Sequence, residues 1–191
     1  MTYSVTIEVS ARHCHLSLEH VEILFGKGYQ LQTLREISQP KQFAAVEMIT
    51  LETKSGHIKN LRIIGPIRKK TQIEISATDA RLLGIKPPVR LSGDIADSAG
   101  GKLIGPKGEI VITEGIIIAA RHLHCDPTTA SQWNLTDKQL ISIKTKGLRP
   151  VTFHDVIVRI NKDFKLSMHI DTDEANAAFP DGKISEGTLI S

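Results

Sequence analysis

A strand-like alternation that runs into an arginine, two histidines and a helix start is written twice in this chain. A pattern written twice at such spacing constrains the fold to two related halves. The first copy is S-A-R-H-C-H-L-S at residues 10–17 and the second is A-A-R-H-L-H-C-D at residues 119–126. Ahead of the first, Val5, Ile7 and Val9 alternate with Thr6, Glu8 and Ser10, the period of a half-buried strand. Ahead of the second, the apolar run Ile116 to Ala120 takes the same place. The separation of Arg12 from Arg121 exceeds the roughly 20–50-residue period of solenoid repeats. Two halves, each a small β-barrel, are the expected result.

The rest of the chain agrees with a mainly β fold. Short alternating runs read as strands at 47–52, 58–64, 71–76, 102–104, 109–113, 116–120, 140–145, 156–160 and 166–170. Turn signals divide them, among them Lys54-Ser55-Gly56, Gly65-Pro66, Gly100-Gly101 and Gly105-Pro106-Lys107-Gly108. Helices are few and short. Ser17 caps one that runs to Leu24 and stops at Gly26, and Asp126 with Pro127 opens another. Thr78 to Leu83 and Thr172 to Ala178 are the third and fourth.

Composition removes several function classes. The chain has 191 residues, 40% hydrophobic and 24% charged, with net charge +3, an ordinary globular profile. Without a Lys/Arg block interleaved with aromatics, nucleic acid is not an expected partner. No apolar run approaches the length of a membrane span, and the N-terminus lacks the regions of a signal peptide. Two cysteines, each beside a histidine pair, fit a reducing, cytoplasmic setting better than a disulfide framework.

Eight histidines are present and four of them sit in the duplicated pairs. On a strand, residues i and i+2 share a face about 6.6 Å apart, so His13 and His15 project together, as do His122 and His124. Two neutral imidazoles so placed can converge on one borderline metal such as zinc. Cys14 and Cys125 point to the opposite faces and read as small buried residues. Two further residues could complete these sites, although each taken alone reads as a surface or satisfied residue: Glu74, on the face of Gln72 and Ser76, and His169, opposite Leu166, Met168 and Ile170. His20, His57 and His154 read as solvated residues of helices or loops. Both pairs run into helix N-termini, which favour anions. Arg68-Lys69-Lys70 lies just upstream of Glu74; it reads either as a solvated basic turn or as strand residues presenting one cation to a phosphate. Arg68 suits that task through its planar fork, and Lys69 would then face the other way.

These segments, together with S-Q-P-K-Q-F-A-A, I-I-G-P-I-R-K-K-T-Q-I-E-I-S, G-I-K-P-P-V-R-L-S-G-D and M-H-I-D-T-D-E-A-N-A-A, resemble the PduL-type phosphotransacylases over almost the whole chain. The resemblance implies an enzyme that moves an acyl group reversibly between coenzyme A and inorganic phosphate. It implies two interleaved small β-barrels with short capping α-helices, pseudo-twofold related. Residues 2–11 plus 120–189 would form the first barrel and 12–119 the second, with a small accessory segment near 26–46. It implies two zinc ions per chain at a site between the barrels. His13, His15 and Glu74 would hold one, with the coenzyme A sulfur as fourth ligand; His122, His124 and His169 would hold the other, with water. Arg68 matches the family's phosphate-binding arginine, and Asn176 lies near its site. A homodimer is expected. For coenzyme A itself, Ser10 and the loop from Arg90 through Ser92 and Gly93 to Asp94 are candidate contacts, although the loop also reads as an ordinary turn. Family members that enter bacterial microcompartments carry an N-terminal extension before the first strand; here that strand begins by Ser4 or Val5, so the expectation is a free cytosolic enzyme or, as the alternative, a chain from which such an extension has been removed.

Two other readings are compatible with duplicated histidine pairs. One is a dinuclear zinc hydrolase of thioesters or phosphoesters, which would use water where the acyltransferase uses phosphate. The other is a non-enzymatic zinc-binding β protein. Structural zinc sites are usually closed and rich in cysteine, unlike a His/Glu set.

Overall fold

Two closed rings of six strands, interleaved along the chain, make up the protein. The computed structural model describes residues 3–184 and 186–190; residues 2 and 185, which the sequence reading includes in the first barrel, lie outside that description. One compact unit runs from Arg12 to Ala119, and the other takes the residues up to Ala11 with those from Ala120 onward.

In the continuous unit, β2 (His13–His15) pairs in parallel with β5 (His57–Gly65) and antiparallel with β6 (Gln72–Ile75). Strand β6 runs parallel to β9 (Glu109–Ala119), and β4 (Phe43–Glu52) runs antiparallel to β5. The ring closes through β8 (Ala99–Ile104), antiparallel to both β4 and β9. Two short strands hang on it, β3 (Thr33–Glu36) on β4 and β7 (Val89–Arg90) on β9.

The other unit repeats the pattern pair for pair. Here β10 (His122–Cys125) is parallel to β12 (Thr152–Ile160) and antiparallel to β13 (Ser167–Ile170). Strand β13 is parallel to β1 (Ser4–Val9), and β11 (Leu140–Thr145) is antiparallel to β12. Strand β14 (Glu186–Ile190) is antiparallel to both β1 and β11 and closes the ring. Thus β10 corresponds to β2, β13 to β6 and β1 to β9. In each copy of the repeat the lead-in strand belongs to one barrel and the histidine strand to the other.

Each barrel has its own apolar core. Ile49, Leu51, Leu61, Ile63, Ile73 and Ile116 pack in the continuous unit, and Val5, Ile7, Leu123, Ile143, Val158 and Met168 in the other. Apart from Met168 these are branched aliphatic residues on alternating positions, which is what a pleated surface buries. Every residue of β6 and of β10 is buried, so their polar side chains are held away from water and need partners.

Short helices follow the histidine strands and their antiparallel neighbours. Ser17 caps α1 (Leu18–Phe25), which ends at Gly26, and Asp126 caps α3 (Pro127–Gln132). Ser76 with Asp79, and Asp171 with Glu174, form reciprocal capping boxes on α2 (Ala77–Leu83) and α4 (Thr172–Ala178). The repeat's arginine finds the same partner in both units: Arg12 Nη1 lies 2.6 Å from Asp79 Oδ1, and Arg121 Nε lies 3.0 Å from Glu174 Oε1. Each arginine therefore ties the start of its histidine strand to the third residue of the helix beyond the neighbouring strand. No helix among the described residues is long and apolar enough to cross a membrane.

Three features differ from the sequence reading. The expected strands 109–113 and 116–120 are one strand, β9. Gly115, at φ +128°, lies between residues 109–112, which pair with β8, and residues 116–118, which pair with β6, Ile116 pairing with both. Strands β3, β7 and β14 escape the alternation test because they are short, exposed or glycine-bearing. Arg68 to Lys70 is a turn with a single parallel bridge from Arg68 to Ser17, not a strand.

Candidate metal and anion site

Register assembles the first cluster. His13 stands opposite Glu74 across β2 and β6, and His15 stands opposite Gln72. One ligand atom from each of His13, His15 and Glu74 lies within 4.8 Å of the other two, with His13 Nε2 3.7 Å from Glu74 Oε2. His15 Nδ1 is 2.8 Å from the Ile64 carbonyl. A carbonyl only accepts, so Nδ1 carries the hydrogen and Nε2 keeps its lone pair. Burial, then the charges of His13 and Arg68, push the His15 pKa down to about 3. The imidazole is therefore neutral near pH 7, the form that binds metals.

The second cluster is built by the corresponding strands. His122 stands opposite His169 across β10 and β13, and the rings of His122, His124 and His169 lie with centroids 4.6–5.1 Å apart. His122 Nδ1 is 2.8 Å from the Ala120 carbonyl, which again leaves Nε2 as the lone-pair nitrogen. His124 packs its ring on Phe164 at 4.0 Å. Burial, then the charges of His122, His169 and Arg159, push its pKa down to about 2. Its Nδ1 is buried with no hydrogen-bond partner among the described residues. A buried nitrogen without a partner is costly. Among the described residues, only His13, His15 and Glu74 bring three ligand atoms within 4.8 Å of one another; in the second group His169 Nε2 lies 2.9 Å from Ser167 Oγ. The second group also contains a carboxylate from the polar positions of β1: Glu8 stands opposite His169, with Oε2 3.6 Å from His169 Nε2. The corresponding position in the first cluster, opposite Glu74, is Ile117.

Beside the first cluster lies a polar network. Arg68 Nη1 donates to Ser92 Oγ at 3.0 Å, and Gln72 Nε2 donates to Ser92 Oγ at 2.9 Å and to Glu74 Oε1 at 2.6 Å. The Gly93 N–H donates to Gln72 Oε1 at 2.6 Å. Arg68 is held from its backbone, whose N–H donates to the Leu16 carbonyl at 2.9 Å. This brings a guanidinium and a hydroxyl next to a carboxylate already gathered with two imidazoles. Such a set can hold a divalent metal and an anion side by side.

A sequence model of the phosphate propanoyltransferase family matches residues 6–180. The chain belongs to that family. It is 47% identical over 175 residues to the phosphate propanoyltransferase of Thermotoga maritima, covering 91% of this chain and 83% of that protein. With the phosphate propanoyltransferase of Lachnoclostridium phytofermentans it is 48% identical over 190 residues, 99% and 87% of the two chains. With that of Priestia megaterium it is 49% identical over 184 residues, 96% and 83% of the two chains.

The remaining candidates are distributed differently. Arg90 is paired with Asp94 at 3.0 Å, within its own loop. Ser10 is anchored by its backbone N–H to the Ile170 carbonyl at 2.8 Å, and Asn176 is exposed on α4. The three histidines set aside as solvated also resolve. His57 and His154 are exposed, but on β5 and β12 rather than in loops, and His154 Nδ1 is 2.8 Å from Ser142 Oγ. His20 is half-buried with Nδ1 2.7 Å from Thr71 Oγ1, and burial lowers its pKa. It lines an open cleft of about 550 Å³ with Ser17, Lys69, Lys70 and Thr71. The sequence reading gave Gln72 and Glu8 no role: Gln72 entered it only as a residue on the face of Glu74, and Glu8 only as a polar position of the first strand.

Proposed function

We propose that this chain is a phosphate acyltransferase. It would move a short acyl group, acetyl or propanoyl, reversibly between coenzyme A and inorganic phosphate, with one zinc ion on each histidine cluster. The observation that carries the reading is the junction of Arg68 and Ser92 with His13, His15 and Glu74 through Gln72. A family in which relatives bear that activity's name supports it.

In the forward direction a phosphate oxygen attacks the thioester carbonyl, the carbon–sulfur bond breaks, and acyl phosphate and the thiolate of coenzyme A leave. His13, His15 and Glu74 suit zinc in being two neutral imidazoles and one carboxylate, and three protein ligands leave a coordination position open. His122, His124 and His169 offer an all-imidazole set, in which the buried Nδ1 of His124 has no hydrogen-bond partner among the described residues. When bound, zinc supplies Lewis acidity toward the acyl oxygen and stabilises a thiolate. Arg68 contributes a fixed positive charge and a two-point fork for phosphate, with one arm already steadied by Ser92. A large share of inorganic phosphate is already the nucleophilic dianion near neutral pH, so no protein base is assigned. Ser10, Arg90, Ser92, Gly93 and Asn176 remain the candidates for coenzyme A.

The test is thiol release from acetyl-CoA or propanoyl-CoA by purified protein, with and without phosphate, with metal analysis of the same sample. Phosphate-dependent release with acyl phosphate as product is expected. Release that ignores phosphate would make the protein a thioesterase, and no release with bound zinc would make it a non-enzymatic zinc protein.

A further inference from the structure

We infer that Gln72 is a positioning residue that sets the metal-binding carboxylate and the anion-binding hydroxyl at the same time. The inference rests on the reading of the cluster as a zinc site beside a phosphate site. Gln72 is buried to 2% exposure and stands opposite His15. Its amide uses both N–H donors and its oxygen. The orientation follows from chemistry: the Glu74 carboxylate only accepts and the Gly93 N–H only donates. Nε2 must therefore face Glu74 and Oε1 must face Gly93.

Two consequences follow from that orientation. First, the two oxygens of Glu74 are divided. Oε1 takes the Gln72 N–H at 2.6 Å, and Oε2 faces His13 Nε2 at 3.7 Å. The amide therefore holds the carboxylate with one oxygen directed at the histidines, the role that groups hydrogen-bonded to a ligating carboxylate play in metal sites. Second, Ser92 Oγ accepts from Gln72 and from Arg68. A hydroxyl has two acceptor lone pairs and one hydrogen. With both lone pairs engaged, its hydrogen can only be donated, so Ser92 is a committed donor beside the Arg68 guanidinium. The Gly93 N–H bond to Gln72 holds this turn at the same end of the amide, with Gly93 at φ +101°, where a side chain would be strained. One side chain thus couples the geometry of the metal ligand to the polarity of the anion site.

The experiment compares wild type, Gln72→Met, Gln72→Glu and Ser92→Ala. Gln72→Met keeps the length of the side chain without its hydrogen bonds; Gln72→Glu is isosteric but has no N–H to donate. Folding is checked by thermal melting of each metal-free protein. Zinc affinity is measured by chelator competition, and KM for phosphate is measured separately from kcat. Both Gln72 variants are expected to weaken one of the two zinc ions about tenfold or more and to raise KM for phosphate several-fold. Ser92→Ala is expected to raise KM for phosphate while both zinc affinities stay at wild-type values, a split that general loosening of the fold would not produce. Wild-type zinc affinity and phosphate KM in either folded Gln72 variant overturn the inference. A wild-type protein that holds no zinc overturns the site reading, and this inference with it.

Discussion

Removing the Arg68 side chain is the most discriminating single perturbation of the proposed activity. The guanidinium donates from Nη1 to Ser92, and in the proposed activity its planar fork makes a two-point contact to a phosphate dianion. Charge-assisted hydrogen bonds contribute about 1.5–3 kcal/mol each. Losing a two-point contact therefore costs about 3–6 kcal/mol, and at roughly 1.4 kcal/mol per decade the loss in kcat/KM is about a hundred- to a ten-thousandfold. Arg68→Lys keeps the charge without the fork and should recover only part of it. The turn should survive either change, because the Arg68 backbone N–H to Leu16 is untouched. Zinc content should hold too. The Arg68 charge helps keep the His15 pKa low, so its removal leaves that nitrogen at least as ready to bind a metal once deprotonated. Lys69→Ala is the control. Its neutrality follows from exposure in the turn rather than from strand alternation. The assay is initial rate against phosphate at saturating acyl-CoA, with zinc measured on each preparation. Wild-type phosphate kinetics in Arg68→Ala would refute the assignment, as would equal damage from Lys69→Ala.

Other outcomes are expected. His13→Ala and His122→Ala should each lower zinc content by about one ion per chain and abolish turnover, while His57→Ala does neither; elemental analysis beside the activity assay decides it. Chelated, metal-free protein should lose stability as pH falls from about 6.5 toward 3. The unfolded chain takes up protons at His15 and His124 near pH 6.5 that the folded chain refuses until about 3 and about 2. Each histidine destabilises its own barrel by about 1.4 kcal/mol per pH unit over that window, so urea midpoints that stay level between pH 7.5 and 5 would contradict the burial argument. Ser76→Ala removes the α2 cap and should cost about 1 kcal/mol; since α2 begins just past Glu74, the melting temperature should fall while both zinc ions remain.

The sequence alone determined what is local. Side-chain alternation made most of the strands legible, and Ser17, Asp126 and Gly26 marked helix ends because a cap is chosen by its own chain neighbours. The duplicated A-R-H-x-H announced two halves and placed His13 with His15 and His122 with His124, since residues two apart on a strand share a face. What lies across strands was decided by the tertiary structure. Ring closure by β8 and β14, the register that sets Glu74 against His13 and His169 against His122, and the arrival of Glu8 beside His169 depend on hydrogen bonding between distant segments. Arg68 lay in a motif, but its meeting with Ser92 did not. Gln72 carried no signal, because a glutamine between Thr71 and Ile73 is one more polar position on a strand until burial strips its water. Burial then forces each of its polar atoms to find a partner, and the fold places Glu74, Ser92 and Gly93 where those partners must be.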